Sequence, residues 1–283
     1  MGLVAPLPCP PTEEFSNHEA LDTIASHPDL FKVLTPIHID HFEALLADHP
    51  NLVFVRSVCQ GLHKGFWPFT NTHLNKWPIT WDNSDHPLKT QAERNFIASQ
   101  IHAELEADHY SAPFGPEIFL GMYSMPIHTV PKPGTDKYHL ITDHSAGEFT
   151  LNNMIKHEDI AGVTLDNVQN LGNALQLFCC SNSQEELVIW KVDVSEAYRL
   201  IPMHPLWQVK QVVYFQGKCY VDHCNVFGGH ASQQLFHIIM SLVIWIAVMK
   251  LLLYFLYLYV DNFFSFKQRK CLEFYQCYNK FLP

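Results

Sequence analysis

The sequence predicts an α+β fold, and three observations carry the prediction. Apolar residues recur at helical spacing ahead of residue 115. Apolar, partly β-branched runs of strand length follow it. Turn residues, Pro and Gly above all, punctuate both kinds of segment. The chain has 283 residues, 48% of them hydrophobic and 16% charged, which suffices to bury a core in one or two domains. Such a composition excludes a disordered or collagen-like chain. With 18 Lys+Arg against 28 Asp+Glu, the net charge of −10 argues against a surface that wraps nucleic acid all over and leaves room for one local cleft. The charge is uneven: residues 1–115 hold 6 basic and 14 acidic side chains, residues 116–283 hold 12 and 14. That asymmetry suggests parts with different partners.

Residues 1–115 read as a mostly helical N-terminal region, short helices between Pro-rich breaks. Asp40 followed by Glu43 marks one helix start, with Phe42, Leu45 and Leu46 as its apolar face. Thr90 with Glu93 marks another, ahead of Ile97, Ile101 and Leu105 at four-residue spacing. His109 to Pro116 breaks that helix and is the expected boundary. No catalytic pattern stands out in this region.

Residues 116–186 form the second region. Phe119 to Pro131 reads as a strand, Pro131-Lys132-Pro133-Gly134 as a turn, and Tyr138 to Thr142 as the returning strand, giving a hairpin with Lys132 and Lys137 at a basic tip. Asp166 is expected to cap a helix whose Val168, Leu171, Leu175 and Phe178 share one side.

In residues 187–283, Leu187 to Val194 is the clearest buried strand. Ile238 to Val260 carries no charge apart from Lys250 and is long enough for a membrane span. Against a span stand a cation near its middle, costing about 2.5–3.5 kcal/mol, and a second half that reads equally well as a strand.

The eight cysteines form no CxxC pair, which points to reduced thiols in an intracellular chain, cytoplasmic or nuclear. Cys219, His223, Cys224 and His230 match no zinc spacing. The N-terminus lacks the basic and apolar regions of a signal peptide, and Pro6 occupies the position where a myristoylation site needs Ser or Thr.

Three local patterns bear on chemistry. Asp193 closes a strand and precedes Val194-Ser195-Glu196-Ala197-Tyr198; taken alone it is a helix cap, with Glu196 completing a capping box. Asp261 and Asn262 lie between two apolar runs and alone are good turn formers in a hairpin. Gly228-Gly229 lets the backbone approach a ligand or take a positive φ, and alone is an ordinary turn.

Together, and in this order, DVSEAY, FGG and YVDN resemble the palm of reverse transcriptases, where DVxxAY and YxDD supply metal-binding carboxylates. Upstream, VPKPGTDKYHLITDHS (130–145) and Leu151-Asn152 are similar to the fingers hairpin of those enzymes. The likeness spans roughly residues 119–266, and DHSAG and FGG further resemble reverse-transcriptase-like regions of fungal retrotransposon polyproteins. The resemblance implies a palm of antiparallel sheet packed on helices, a fingers region over 116–186, and template-directed nucleotidyl transfer to DNA with Mg²⁺ or Mn²⁺. Primer–template nucleic acid and deoxynucleotides are the implied partners. Two cations about 3.5–4 Å apart clamp the attacking and leaving oxygens in such chemistry. Hard carboxylate oxygens on rigid strand ends suit Mg²⁺. By resemblance Asp193 and Asp261 are catalytic and hold metal with the Val194 carbonyl and Asn262. Tyr198 screens the sugar, Gly228 and Gly229 let the following helix approach the template–nucleotide pair, Lys132 or Lys137, with the choice open, neutralises phosphates, and His139 stands at the triphosphate-facing position.

The chain departs from the family pattern at three places. Asn262 stands where YxDD has its second Asp, so one compensating charge is lost. His139 stands where the family has an Arg gripping the triphosphate, and a neutral imidazole makes no bidentate contact. Pro283 follows the hairpin too closely for a full thumb. The alternatives are a catalytically dead remnant of the same fold, or a membrane-associated protein using Ile238–Val260.

Overall fold

A computed structural model of the chain describes residues 5–72, 77–85, 90–135, 138–182 and 186–269. In chain order the N-terminal region contributes α1 (His18–Ser26), α2 (Ile39–Leu45), α3 (Leu52–Lys64), β1 (Trp81–Asp82) and α4 (Gln91–Glu106). There follow β2 (Tyr123–Met125), β3 (Ile127–Pro131), β4 (Tyr138–Thr142), α5 (Val168–Ser181) and β5 (Leu187–Asp193). The last elements are α6 (Pro205–Gln208), β6 (Val212–Phe215), β7 (Lys218–Val221), α7 (Ser232–Leu251), β8 (Tyr257–Tyr259) and β9 (Asn262–Gln268). The fold is mixed α and β, with three sheets ordered β1-β2-β6-β7, β3-β4 and β5-β9-β8. The last two are antiparallel; in the first, β2 pairs in parallel with β1 and β6.

Side-chain caps mark the starts of α1, α3, α4 and α5. Thr90 and Glu93 form the expected reciprocal pair: Thr90 Oγ1 accepts from the Glu93 N–H at 3.2 Å and Glu93 Oε2 accepts from the Thr90 N–H at 2.7 Å. At α2 the helix starts two residues earlier than expected, with His38 and not Asp40 at the N-cap. The helix begins at Ile39 without a side-chain cap, and Asp40 lies inside its first turn. At α5 the cap is Asn167, not Asp166, with Asn170 completing the box. Asp166 instead ties this helix start to β8: Leu258 donates its N–H to Asp166 Oδ2 at 2.9 Å, and the Asp166 N–H donates back to Leu258 O at 3.2 Å.

The run 119–131 is two strands, not one. Pro126 has no N–H to extend a ladder, and β2 and β3 on either side of it join different sheets. The β3–β4 hairpin forms as expected, in register Ile127↔Thr142 to Pro131↔Tyr138. Helix α4 backs it, with Phe96 against Tyr138 at 5.6 Å and Thr129 Oγ1 donating to Glu93 Oε1 at 3.1 Å.

The expectation of a buried strand over 187–194 is corrected. β5 is an edge strand ending at Asp193, and Ile189, Lys191 and Asp193 are exposed. An apolar run specifies a strand but not how much of it a neighbour covers; here α5 reaches Leu187, Phe264 and Phe266 and stops short of Ile189. The 238–260 stretch is not one rod either. Helix α7 stops at Leu251, Leu252 turns the chain at φ +57°, and Tyr257 begins β8. Among the described residues α7 is the one helix long and apolar enough to cross a membrane. Its Leu235, Phe236, Ile239 and Leu242 sit in the main apolar core. Lys250 is paired with Asp48 at 2.6 Å.

That core draws on both ends of the chain. Phe42, Leu46, Phe54 and Val58 pack in one cluster with Tyr198, Leu206, Phe236, Leu258 and Phe263. Each large side chain buried there stabilises the fold by about 1.5–3 kcal/mol. The clustering fixes β5, β9 and β8 on α7, which is what holds the end of that sheet in place.

Candidate active site

β5 and β9 run antiparallel, and their register ends with Asp193 opposite Asn262. β8 continues the row with Tyr259 opposite the same Asn262. Residues paired in this way project to one face, so Asp193, Asn262 and Tyr259 line one end of the sheet. The turn between β8 and β9 is Val260-Asp261, one residue earlier than the Asp261-Asn262 pair expected from sequence. Val260 sits at φ +55°, a region a β-branched residue rarely enters. Val194 donates its N–H to the Asp261 carbonyl at 2.8 Å. Two acidic residues far apart in the chain are thereby neighbours at one sheet end.

Asp193 is exposed and makes no hydrogen bond or ion pair among the described residues. It caps no helix, because the turn over Ala197–Leu200 starts from Glu196 in the left-handed region, without a side-chain cap. The reading of Asp193 and Glu196 as a capping box is thus replaced. Asn262 Nδ2 donates to Asp261 Oδ1 at 2.6 Å, while Asn262 Oδ1 is buried without a partner among the described residues.

Tyr198 lies beside this pair. Its ring packs against Phe227 at 4.6 Å and Phe236 at 5.4 Å, and its hydroxyl donates to Gln233 Oε1 in the first turn of α7. Burial, and then the negative charge of Asp261, push its phenol up to about 12. Phe227 itself is 60% exposed.

Neither Gly228 nor Gly229 has a positive φ. The constraint is space inside the protein: a Cβ on Gly228 would lie 2.1 Å from the Thr142 carbonyl oxygen at the base of the hairpin. At the other end of that hairpin, His139 is exposed opposite Val130, and Lys132 is half-buried at the tip. Lys137 lies outside the described residues. No hydrogen bond or ion pair among the described residues joins Lys132 or His139 to Asp193 or Asp261.

A buried ionic network behind the site escaped the sequence reading. Arg199 Nη1 lies 2.9 Å from Asp222, Arg199 Nη2 lies 2.9 Å from Glu104, and Glu104 lies 2.8 Å from His109 Nδ1. Burial alone would raise Glu104, but the His109 hydrogen bond and the Arg199 charge hold it below the usual carboxylate range. Burial raises Asp222 despite the Arg199 charge beside it. The visible signal was one Arg inside the apolar string AYRLIP. Next to the glycine turn, burial depresses the His144 imidazole to about 3.

Of the residues weighed for zinc, His223 is buried with Nδ1 2.9 Å from the Asp108 carbonyl and Nε2 3.0 Å from the Leu30 carbonyl. His230 is exposed and faces the His157 ring at 5.0 Å. Among the described residues no group of three or more His, Cys, Asp or Glu side chains is placed to hold a metal ion. The donor set at the sheet end is the pair Asp193 and Asp261. Two hard carboxylates suit Mg²⁺, which keeps several of its own waters. No protein-family model matches the chain, and no curated protein matches it.

Proposed function

We propose that residues 119–266 carry a reverse-transcriptase-like fingers and palm, and that the chain performs template-directed nucleotidyl transfer to a DNA primer. One observation supports this reading above the rest. Asp193 at the end of β5 stands beside the β8–β9 turn that presents Asp261, with the Val194 N–H on the Asp261 carbonyl at 2.8 Å.

Asp193 and Asp261 would hold a divalent cation, with the Val194 carbonyl beside them. When bound, that cation lowers the energy of negative charge on the reacting phosphate and primer oxygens. The chain's own groups do the rest. Tyr198, clamped between Phe227, Phe236 and Gln233, forms a rigid wall for the sugar. Lys132 and His139 on the hairpin offer donors to the nucleotide phosphates.

The test is primer extension with the full chain beside Asp193→Ala. Incorporation dependent on Mg²⁺ or Mn²⁺ and absent from the variant supports the reading; equal signal from both refutes it.

A second reading, a catalytically inactive remnant of the same fold, is favoured by Asn262. Its amide gives Asp261 a neutral donor where a second carboxylate would add charge. Under that reading the unaltered chain is inert, and Asn262→Asp with His139→Arg restores cation binding or incorporation.

A further inference from the structure

We propose that Asn152 is a positioning residue for the nucleotide site, pinning the Gly228–Gly229 turn to the base of the β3–β4 hairpin so that Phe227 stays over Tyr198. The inference rests on the reading above, because it supposes that the cleft takes a deoxynucleoside triphosphate.

Asn152 is 3% exposed and every hydrogen-bonding group of its side chain is used. Its Nδ2 donates to Ser145 Oγ and to the Gly228 carbonyl, both at 2.8 Å. Its Oδ1 accepts the His230 N–H at 2.8 Å. Its own N–H donates to the His144 carbonyl at 3.0 Å. The amide orientation follows from two partners, since the Gly228 carbonyl needs a donor and the His230 N–H needs an acceptor.

These bonds join three segments that have no ladder between them: the turn after β4, the short turn containing Asn152, and the loop before α7. Gly228 is pressed from the other side by the Thr142 carbonyl, where no Cβ fits. The residue preceding this clamped glycine is Phe227, whose ring covers Tyr198, and Tyr198 in turn feels the charge of Asp261. A shift of the turn would therefore move the aromatic wall next to the carboxylates.

Aspartate at 152 keeps an acceptor for His230 and for the Ser145 hydroxyl but has no donor for the Gly228 carbonyl. Losing net hydrogen bonds of this kind predicts about a tenfold loss in whatever depends on the clamp. The experiment uses the full chain, with N-methylanthraniloyl-dATP and Mg²⁺ as the binding probe and amide hydrogen exchange as the second readout. In Asn152→Asp, the probe binds tenfold or more weakly while His230 N–H exchange stays slow. In Asn152→Ala, binding falls at least as far and His230 N–H exchange accelerates. Ser145→Ala, at an exposed partner, predicts a two- to threefold weakening, by the smaller loss of one bond, and keeps the test decisive if Asn152→Asp does not fold. Wild-type affinity in Asn152→Asp, or unchanged His230 exchange in Asn152→Ala, overturns the proposal. An unaltered chain that binds no probe sinks the nucleotide reading itself, and this inference with it.

Discussion

The Val194 amide N–H points at the Asp261 carbonyl, 2.8 Å away, and closes the end of the β5–β9 ladder one residue beyond Asp193 and Asn262. This contact joins a strand edge to a tight turn and brings two acidic residues to one end of the sheet. Neither is consumed by capping, and Asp193 has no partner among the described residues.

The network around Arg199 is expected to matter more for stability than any surface pair. Arg199 is buried between Glu104 and Asp222. Arg199→Met leaves those carboxylates without their cation and predicts a loss of about 3–5 kcal/mol. Denaturant unfolding of the variant measures it. The exposed pair Lys250–Asp48 is predicted to contribute about 1 kcal/mol or less in Asp48→Ala.

Gly228→Ala tests the tight approach at the hairpin base. A Cβ there meets a backbone oxygen, which cannot rotate away, at 2.1 Å. The predicted loss is about 1–3 kcal/mol, the range for overpacking. Gly134→Ala at the hairpin tip meets no atom within 4 Å, and what strain it has comes from its φ of +72°. Thermal melts of the two variants separate crowding from backbone strain.

Acid should destabilise the protein from just below neutrality. His144 is held to about 3 by burial, and His204 to about 4 by burial and then by Lys64. Both lie below the ordinary imidazole value of about 6.5, so the unfolded chain takes up protons first as pH falls. Their contribution is complete above pH ~6.5 and declines toward the folded values, at up to about 1.4 kcal/mol per pH unit for each. Glu104, held low, adds stability that is present above the ordinary carboxylate value and lost as pH falls through its folded value. Urea unfolding between pH 7 and pH 5 should show the decline, and His144→Gln should flatten it.

Elements with strong local signals were legible in the sequence. The Thr90–Glu93 box, the β3–β4 hairpin, the strand ending at Asp193 and the hairpin whose turn carries Asp261 stand close to where periodicity and turn chemistry put them. What local sequence could not carry was context. Asp166 and Asn167 are both good caps, and only the proximity of Leu258 decides that Asp166 serves β8 instead. The run 187–194 reads as buried because an apolar string does not reveal that β5 is an edge. Lys191 and Asp193 hinted at it. The glycine pair suggested ligand access or a positive φ, whereas Gly228 answers to Thr142 across a long loop. The buried partners of Arg199 come from α4 and from the end of β7, a meeting that no spacing rule encodes.

Whether Asp193 and Asp261 share a cation is decided by Mn²⁺ binding to the full chain, followed by electron paramagnetic resonance, alongside Asp193→Asn and Asp261→Asn. Asp193 is exposed and unpartnered, so its variant should fold normally and keep its melting temperature. A bound Mn²⁺ is expected in the unaltered chain and is lost in each variant. Binding of equal strength in all three proteins, or none in the unaltered chain, would contradict it.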